Sequence, residues 1–379
     1  MLKVVHLTPS FLPVIGGTEY YIFNLSTALK KLGIVTEVIS LTDTSRQCTL
    51  NFLKSEYINS VKKNVWPSKY IGLLRIPFRV HYLPLHLNKL KEYVSLFDII
   101  HFHDDVDLTF PLFTRKVKRP KVLSCHSLSY WIKYYRYNPL ARRILINSSN
   151  MFHVFSKRDK NFLITLGIPE DNVVIIPHGV NIEEFKPNPK KSYKSHVNIG
   201  FLGRICKKKG VLYLLRGIYI LLKEFKITMP IKVYIAGPIN DIKYFNTLRE
   251  YVYRKNLQDF VTFCGPVHPP SFLQKLDIFV YPSLEEVFGL VVLEAMASGL
   301  PVIVSNIVPL NEIVMHGRCG FIVPPKSPEH IAQKLYLLIS DPTLCKRMGR
   351  ESREIVKAKY SLERHVEKLI KNVYEVLLR

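Results

Sequence analysis

DIFVYPSLEEVFGLVVLEAMASGLPVIVS, residues 277–305, holds a strand, a loop, a helix and a second strand in one stretch. The run DIFVYPS (277–283) is short and almost wholly apolar, as in a strand covered on both faces of a parallel sheet. Residues 289–298 read as an apolar helix and PVIVS (301–305) as the next strand. A strand–helix–strand run of this kind builds a parallel α/β sheet. Leu284 to Val287 then forms the loop at a strand's carboxyl end, where open α/β sheets bind ligands.

The same alternation extends outward on both sides. VNIGFLG (197–203), IKVYIAG (231–237), FVTFCG (260–265) and GFIVPP (320–325) read as strands, separated by helical periods at 209–226, 241–255 and 328–340. Upstream, LKVVHLTP is a first strand, EYYIFNLSTALKKLG a helix closed by Gly33, and VTEVISL a second strand. FDIIHFH (97–103), KVLSCHS (121–127), MFHVFS (151–156) and NVVIIPHG (172–179) continue that series. Between the two series lies FKPNPKKSYKSH (185–196), rich in Pro and Lys and the best linker candidate. The expected architecture is α/β: two Rossmann-like doubly wound domains, 1–187 and 188–360, facing a central cleft. A last helix within 361–379 is expected to pack back toward the first domain.

The 379 residues suit two to three domains at roughly 150 residues each. A hydrophobic share of 47% with 22% charged residues excludes a disordered chain, a collagen-like repeat or a disulfide-stapled miniprotein. Cys48, Cys125, Cys206, Cys264, Cys319 and Cys345 are scattered, without a CxxC pair or zinc-type spacing. That pattern points to a reducing compartment and to no structural metal. MLKVVHLTPSFLPVIGG has too short an apolar run for a signal peptide, and no stretch reaches the ~18 apolar residues of a membrane span. The protein is therefore expected to be cytoplasmic or peripheral on the cytoplasmic membrane face.

Charge is the outlier, at +24. Between Leu108 and Arg158 there are eleven Lys or Arg and no acid; between Tyr57 and Lys91 there are seven and again no acid. Aromatics interleave both windows, among them Trp66, Tyr70 and Phe78 in one and Tyr130, Trp131, Tyr134, Tyr135 and Tyr137 in the other. Such surfaces suit polyanions: nucleic acid, anionic lipid head groups or phosphorylated substrates.

Several residues stand where ligand chemistry is expected. Glu286 precedes the helix that begins near Phe288-Gly289, whose free N–H groups make an anion site. Glu294 falls inside that helix among Val291, Val292, Leu293, Ala295 and Met296. A carboxylate there needs a strong partner, either a structural salt bridge or ligand hydroxyls. Glu286 is either a ligand group or a solvated loop carboxylate. Arg204 and Lys209 follow the strand 197–203, placed to clamp a diphosphate, while Lys207 and Lys208 read as a solvated turn. Gly16 and Gly17, after the first strand, either open the backbone to a phosphate or simply turn the chain. His126 sits at a strand end on the rim, as a ligand contact or a structural histidine; His101, His103 and His178 read as structural. Asp105-Val106-Asp107 has the spacing of a metal-bound diphosphate site, but Arg204 and Lys209 would already neutralise the phosphates, so no metal is expected.

Together these motifs resemble the nucleotide-sugar-dependent glycosyltransferases of family 4, the glycosyl transferases group 1, which are retaining and have the GT-B fold. GGTE (16–19) resembles that family's N-terminal glycine loop, and IPHGVNIEEF (176–185) its segment before the linker. GRICKKKG (203–210) is similar to its phosphate clamp, Glu286 to Glu294 to its E-x7-E motif, and NEIVMHGRCGFIVPP (311–325) to its closing motif. Pro-His-Gly in place of the commoner Pro-Asn-Gly and Leu310-Asn311 before the tail are small departures. The resemblance implies that Glu294 holds the donor ribose. It assigns Glu286, with the amides of Phe288, Gly289 and Leu290, to the sugar and distal phosphate. Arg204 and Lys209 would neutralise the leaving diphosphate, with Gly17, in the loop begun by Gly16, against that phosphate. His126 would contact the transferred sugar. It implies a nucleotide-sugar donor, a glycan or lipid-linked acceptor, and no cofactor.

The first domain should choose the acceptor, and it carries both acid-free windows. An anionic membrane resting on 57–91 or 130–143 is therefore expected beside a lipid-linked acceptor, against the alternative of a merely basic surface. Two other readings compete: a sugar-nucleotide epimerase or phosphorylase on the same fold, and a basic nucleic-acid-binding protein. The absence of any RRM, KH or helix-turn-helix pattern speaks against the last, so no nucleic-acid partner is expected.

Overall fold

The computed structural model describes residues 1–8, 17–40, 70–76, 79–84, 87–103, 115–126, 128–189, 196–227 and 229–379. They form two compact units, Met1–Gly179 with Leu362–Arg379, and Val180–Ser361.

In the first unit, β1 (Lys3–Thr8), β2 (Val35–Ser40), β5 (Ile99–Phe102), β6 (Lys121–Ser124), β7 (Met151–Val154) and β8 (Val173–Ile175) make one parallel sheet. Its order is β2-β1-β5-β6-β7-β8; β3 (Tyr70–Ile76) and β4 (Arg79–Pro84) form a separate antiparallel hairpin that the sequence reading did not anticipate. From β1 the chain goes to β2 on one side and later returns to β5 on the other, so the strand order reverses between β1 and β5. Helices α1 (Gly17–Lys31), α2 (Leu128–Tyr137) and α3 (Pro139–Ile146) follow strands β1 and β6.

The two faces of this sheet have different chemistry. Side chains alternate along a strand. Val5, Leu7, Ile100, Phe102, Leu123, Phe152 and Val154 therefore share one face, a continuous apolar cluster that also takes in Tyr135 of α2 and Leu145 of α3. The intervening residues include His6, His101, Ser124 and His153, all fully buried. His6 stands opposite His101 in the β1–β5 ladder, and Ser124 opposite His153 in the β6–β7 ladder.

This polar face is covered in part by the chain's C-terminal segment. After the α-helical Leu362–Leu369, residues Ile370–Tyr374 form a π-helical turn, and Glu375–Leu378 resumes the α-helix. A π-turn adds a residue and re-aims the side chains near it. Tyr374, fully buried, is hydrogen-bonded to His101 Nδ1 at 2.7 Å. The hydrogen bonds run on in one direction, because a backbone carbonyl at the far end can only accept. His153 Nε2–H donates to the Ile176 carbonyl at 2.8 Å, so His153 Nδ1 accepts from Ser124 Oγ at 2.8 Å. Ser124 then accepts from His101 Nε2–H at 2.7 Å, and His101 Nδ1 accepts from the Tyr374 hydroxyl. A second anchor works alike: His365 Nδ1–H donates to the Pro177 carbonyl at 2.7 Å and its Nε2 accepts from Tyr21 at 2.9 Å. The C-terminal segment is thus tied to the first unit's sheet and to α1 by hydrogen bonds that need neutral rings.

The second unit repeats the plan with β9 (Val197–Leu202), β10 (Ile231–Ala236), β11 (Val261–Gly265), β12 (Ile278–Tyr281), β13 (Val302–Ser305) and β14 (Gly320–Val323). All are parallel, in the order β11-β10-β9-β12-β13-β14, so the reversal falls between β9 and β12. Helix α4 (Val211–Glu224) leaves β9, α5 (Leu290–Ala297) leaves β12, and α6 (Pro342–Lys359) closes the unit. Val180 N–H donates to the Tyr360 carbonyl at 2.8 Å, joining the two places where the chain enters and leaves this unit. The boundary lies at Gly179/Val180 rather than at 187/188, and residues 185–189 are no free linker. Phe185 is buried, and Arg353 donates to its carbonyl at 3.0 Å. Residues 190–195 of the expected linker lie outside the described residues. No described helix is long and apolar enough to cross a membrane.

Burial holds His101, His103, His153 and His178 well below 6.5, His6 and His126 down to about 3, and His365 to about 4. In the unfolded chain these rings titrate near 6.5. Their neutral network therefore contributes fully above pH 6.5, and the contribution is lost as pH falls, because the unfolded chain binds protons that the folded one refuses. The melting temperature should drop steeply between about pH 6.5 and pH 4 when followed by calorimetry. A flat profile over that interval would contradict a neutral histidine face.

Candidate active site

The strongest cluster stands where the second sheet reverses, at the carboxyl ends of β9 and β12. Two loops meet there by their backbones. The Leu284 N–H donates to the Lys208 carbonyl at 2.7 Å, and the Ser283 hydroxyl, 3.2 Å from the same oxygen, donates to the Glu285 carbonyl at 2.8 Å. Gly210, at φ +69°, lies so close that a Cβ would come within 2.0 Å of the Pro282 carbonyl oxygen. Only glycine fits at that approach.

This junction seats Lys209 against Glu286. The ammonium donates to Glu286 Oε2 at 2.6 Å, with the two side chains only 7% and 11% exposed. The Tyr281 hydroxyl donates to the same carboxylate oxygen at 2.8 Å, and the Val287 N–H reaches Oε1 at 3.1 Å. Lys209 also stands 5.4 Å from the centre of the Tyr281 ring. Glu286 is thus no solvated loop carboxylate. Lys208 pairs with Glu285 at 2.6 Å, but both side chains are more than half exposed, so that pair contributes little. Arg204 is exposed just past β9 and makes no ion pair among the described residues.

Helix α5 starts at the same rim. Its N-cap is Gly289 at φ +94°, without a side-chain acceptor, and a Cβ there would lie 2.5 Å from Leu310. By contrast, Asp241 and Asp341 cap the helices Ile242–Arg254 and Pro342–Lys359 with their carboxylates. The first N–H groups of α5, at Leu290 and Val291, are left for an anion. Phe288 is buried beside this start.

Glu294 lies one turn into α5 and is 8% exposed. Burial, with the charge of Glu184 adding to it, pushes its carboxyl up to about 8. No hydrogen bond or ion pair reaches that carboxyl among the described residues. The salt-bridge alternative is therefore removed, and a buried carboxyl is left with the hydrogen-bonding capacity a ligand hydroxyl would use.

On the first unit, Gly17 begins α1 at the carboxyl side of β1, with nothing within 4 Å of where a Cβ would stand. Gly16 lies outside the described residues, as do Asp105 and Asp107. His126 stands just past β6, partly exposed, with Nε2 3.4 Å from His103 Nδ1. Tyr281 was missed in the sequence, although its place as the last residue of a strand in DIFVYPS marks it as a rim side chain. The histidine face was missed because each ring was weighed alone.

Two family profiles meet on this chain: "Glycosyltransferase Family 4" matches residues 15–184 and "Glycosyl transferases group 1" matches residues 182–355. The chain belongs to the group 1 glycosyltransferases. This glycosyltransferase is 27% identical to an uncharacterised glycosyltransferase of Methanocaldococcus jannaschii, over 100% of this chain and 99% of the relative. It is 26% identical to the D-inositol 3-phosphate glycosyltransferase of Pseudarthrobacter chlorophenolicus, over 88% of this chain and 84% of that one. Among solved structures it is similar to Anabaena HepE in complex with UDP and glucose, at 17% identity and TM-score 0.76 over 99% and 100% of the two chains. A Rickettsia africae glycosyltransferase is similar at 21% identity and TM-score 0.77, over 100% and 99%. The shared fold is GT-B, with its two six-stranded parallel sheets.

Removing Lys209 alone leaves the Glu286 charge buried and unpaired. Lys209→Ala should lower unfolding free energy by about 3–5 kcal/mol, whereas the double change Lys209→Met with Glu286→Leu should recover most of it. Urea unfolding of the three proteins checks this; a single variant as stable as the wild type would contradict the pair.

Proposed function

We propose that this enzyme is a retaining glycosyltransferase that moves a sugar from a nucleotide-diphosphate donor to a glycan or lipid-linked acceptor. One observation carries the reading. An exposed Arg204, the buried Lys209–Glu286 pair and an uncapped helix start lie together where the strand order reverses. The likeness to HepE, described with UDP and glucose, supports a nucleotide-sugar donor.

Breaking the sugar–phosphate bond develops negative charge on the diphosphate and positive charge on the anomeric carbon. Arg204, Lys209 and the first N–H groups of α5 oppose the first, each such fixed donor contributing roughly 3–4 kcal/mol to the transition state. Glu286 orients Lys209 and offers its carboxylate to the sugar; the amides of Phe288, Gly289 and Leu290 serve the distal phosphate. Glu294 takes the ribose hydroxyls, which would meet the unfilled hydrogen-bonding capacity of its carboxyl. The acceptor attacks from the face the phosphate leaves, and the departing phosphate oxygen takes the acceptor's proton, so the anomeric configuration is kept. The cations here are protein side chains, and no metal ion is called on. His126 offers a hydrogen bond to a substrate hydroxyl at the first unit's rim.

Arg204 makes no ion pair among the described residues, so Arg204→Ala should lower kcat about a hundredfold or more with an unchanged melting temperature. Near-wild-type kcat would contradict the diphosphate role.

Of the two acceptor classes, the first unit's surface favours the lipid-linked one. Lys133, Arg136, Arg142 and Arg143 are exposed on α2 and α3, beside Tyr137 (76% exposed) and Leu140 (70%). Basic side chains around apolar ones suit an anionic bilayer surface. Of the window 57–91, residues 57–69, 77–78 and 85–86 lie outside the described residues. The protein should sediment with phosphatidylglycerol vesicles at physiological salt and not with phosphatidylcholine vesicles. Failure to sediment with either removes the membrane.

A further inference from the structure

Three histidines of the first unit form a chain that has no carbonyl anchor. His6 Nδ1 faces His103 Nε2 at 2.8 Å, and His103 Nδ1 faces His126 Nε2 at 3.4 Å, the longest link. At its inner end His6 Nε2 is buried without a hydrogen-bond partner among the described residues. At its outer end His126 is partly exposed just past β6, and its Nδ1 has no hydrogen-bond partner among the described residues. Tyr21 at 5.0 Å, Phe155 at 5.0 Å and His178 at 5.9 Å stand around the His126 ring, and His101 stacks on His103 at 4.1 Å.

The inner end decides which way the chain points. A neutral imidazole carries one proton, and burial keeps all three rings neutral. Were the His6 proton on Nε2, an N–H would be buried with nothing to accept it, which orphaned donors in proteins rarely tolerate. The proton therefore sits on Nδ1 and is donated to His103 Nε2. His103 must then carry its own proton on Nδ1 and donate to His126 Nε2. His126 is left with its proton on Nδ1. Each donation polarises the next ring, which strengthens the last N–H as a donor.

We propose that His6 and His103 are positioning residues that fix the His126 tautomer, so that His126 presents an Nδ1–H donor at the rim and cannot act as a base there. The catalytic part of this rests on the glycosyl-transfer reading above; the tautomer does not. His6, His101 and His103 also bring ring nitrogens within 4.8 Å of one another, as a metal-ligand set would. Both His101 nitrogens and the facing nitrogens of His6 and His103 are engaged in hydrogen bonds, so a metal would have to break the network described here.

The test is nitrogen-15 NMR of histidine-labelled, full-length protein, with the His126 signals assigned through His126→Gln. Nδ1 should be protonated and Nε2 bare; the reverse pattern overturns the proposal, whether or not the protein transfers sugar. Two variants then separate positioning from mere packing. In His103→Asn the amide nitrogen stands where Nδ1 stood and can still donate to His126, whereas His103→Phe keeps the ring and removes the donor. Asn should keep the His126 tautomer and a turnover near wild type. Phe should lose the tautomer preference and about tenfold in kcat/KM, with UDP affinity unchanged by calorimetry. An unchanged tautomer in both variants, or equal kcat/KM in both, overturns the proposal. If the wild type binds no nucleotide diphosphate and transfers no sugar, the functional reading falls and the NMR result alone decides the relay.

Discussion

Lys209 keeps its ammonium out of water because Glu286 meets it at 2.6 Å. A buried cation without such a partner would cost several kcal/mol, so the two loops that carry these residues cannot move apart independently. The Leu284–Lys208 backbone hydrogen bond and the close approach of Gly210 to Pro282 hold the same junction. Everything at the second unit's rim is referred to it. Tyr281 braces the carboxylate, α5 starts four residues after Glu286 with its N–H groups uncapped, and Arg204 stands at the end of the neighbouring strand. One ion pair thereby brings cations, helix start and carboxylate into a single place at the topological switch point.

The first unit answers the same architecture with different chemistry. Its sheet is apolar on one face and lined by histidines, a serine and tyrosines on the other, an unusual way to fill a buried surface. The hydrogen bonds make it workable. Anchored at the Ile176 and Pro177 carbonyls, His153, His101 and His365 have defined tautomers and spend their polar atoms on those carbonyls, on Ser124 and on Tyr21 and Tyr374. A fully satisfied network of this kind specifies one arrangement, whereas a protonated ring would break it. The C-terminal segment is bound into the unit through these hydrogen bonds, with its π-turn aiming Tyr374 inward.

Much of this was legible residue by residue. Short apolar runs flanked by Gly and Pro located the twelve parallel strands, since strands buried on both faces carry no alternation to confuse them. The spacing of Glu286 and Glu294 about an apolar helix start pointed to a ligand site. What escaped was of another kind. The β3–β4 hairpin lies in a basic stretch whose pattern resembles neither strand nor helix strongly, and the buried stripe of α6 places Gly349 and Ser352 among Met348, Ile355 and Val356, which weakens its apolar period. Composition made FKPNPKKSYKSH read as a linker from its first residue, whereas Phe185 is buried and its carbonyl is held by Arg353 from 168 positions away.

By itself the sequence determined two parallel α/β units, which strand ends carry cations, carboxylates and glycines, and the family to which those motifs belong. Local pattern suffices for that, because strand burial, helix starts and glycine turns are set by residues a few positions apart. The tertiary structure alone decided the partners. That Lys209 takes Glu286, that no described residue pairs with the Glu294 carboxyl, and that rings from β1, β5, β7 and the C-terminus share one face with Ser124 of β6 all depend on strand order and register. Those are properties of which strands become neighbours, and residues up to 344 positions apart, such as Tyr21 and His365, meet only when the sheets have formed.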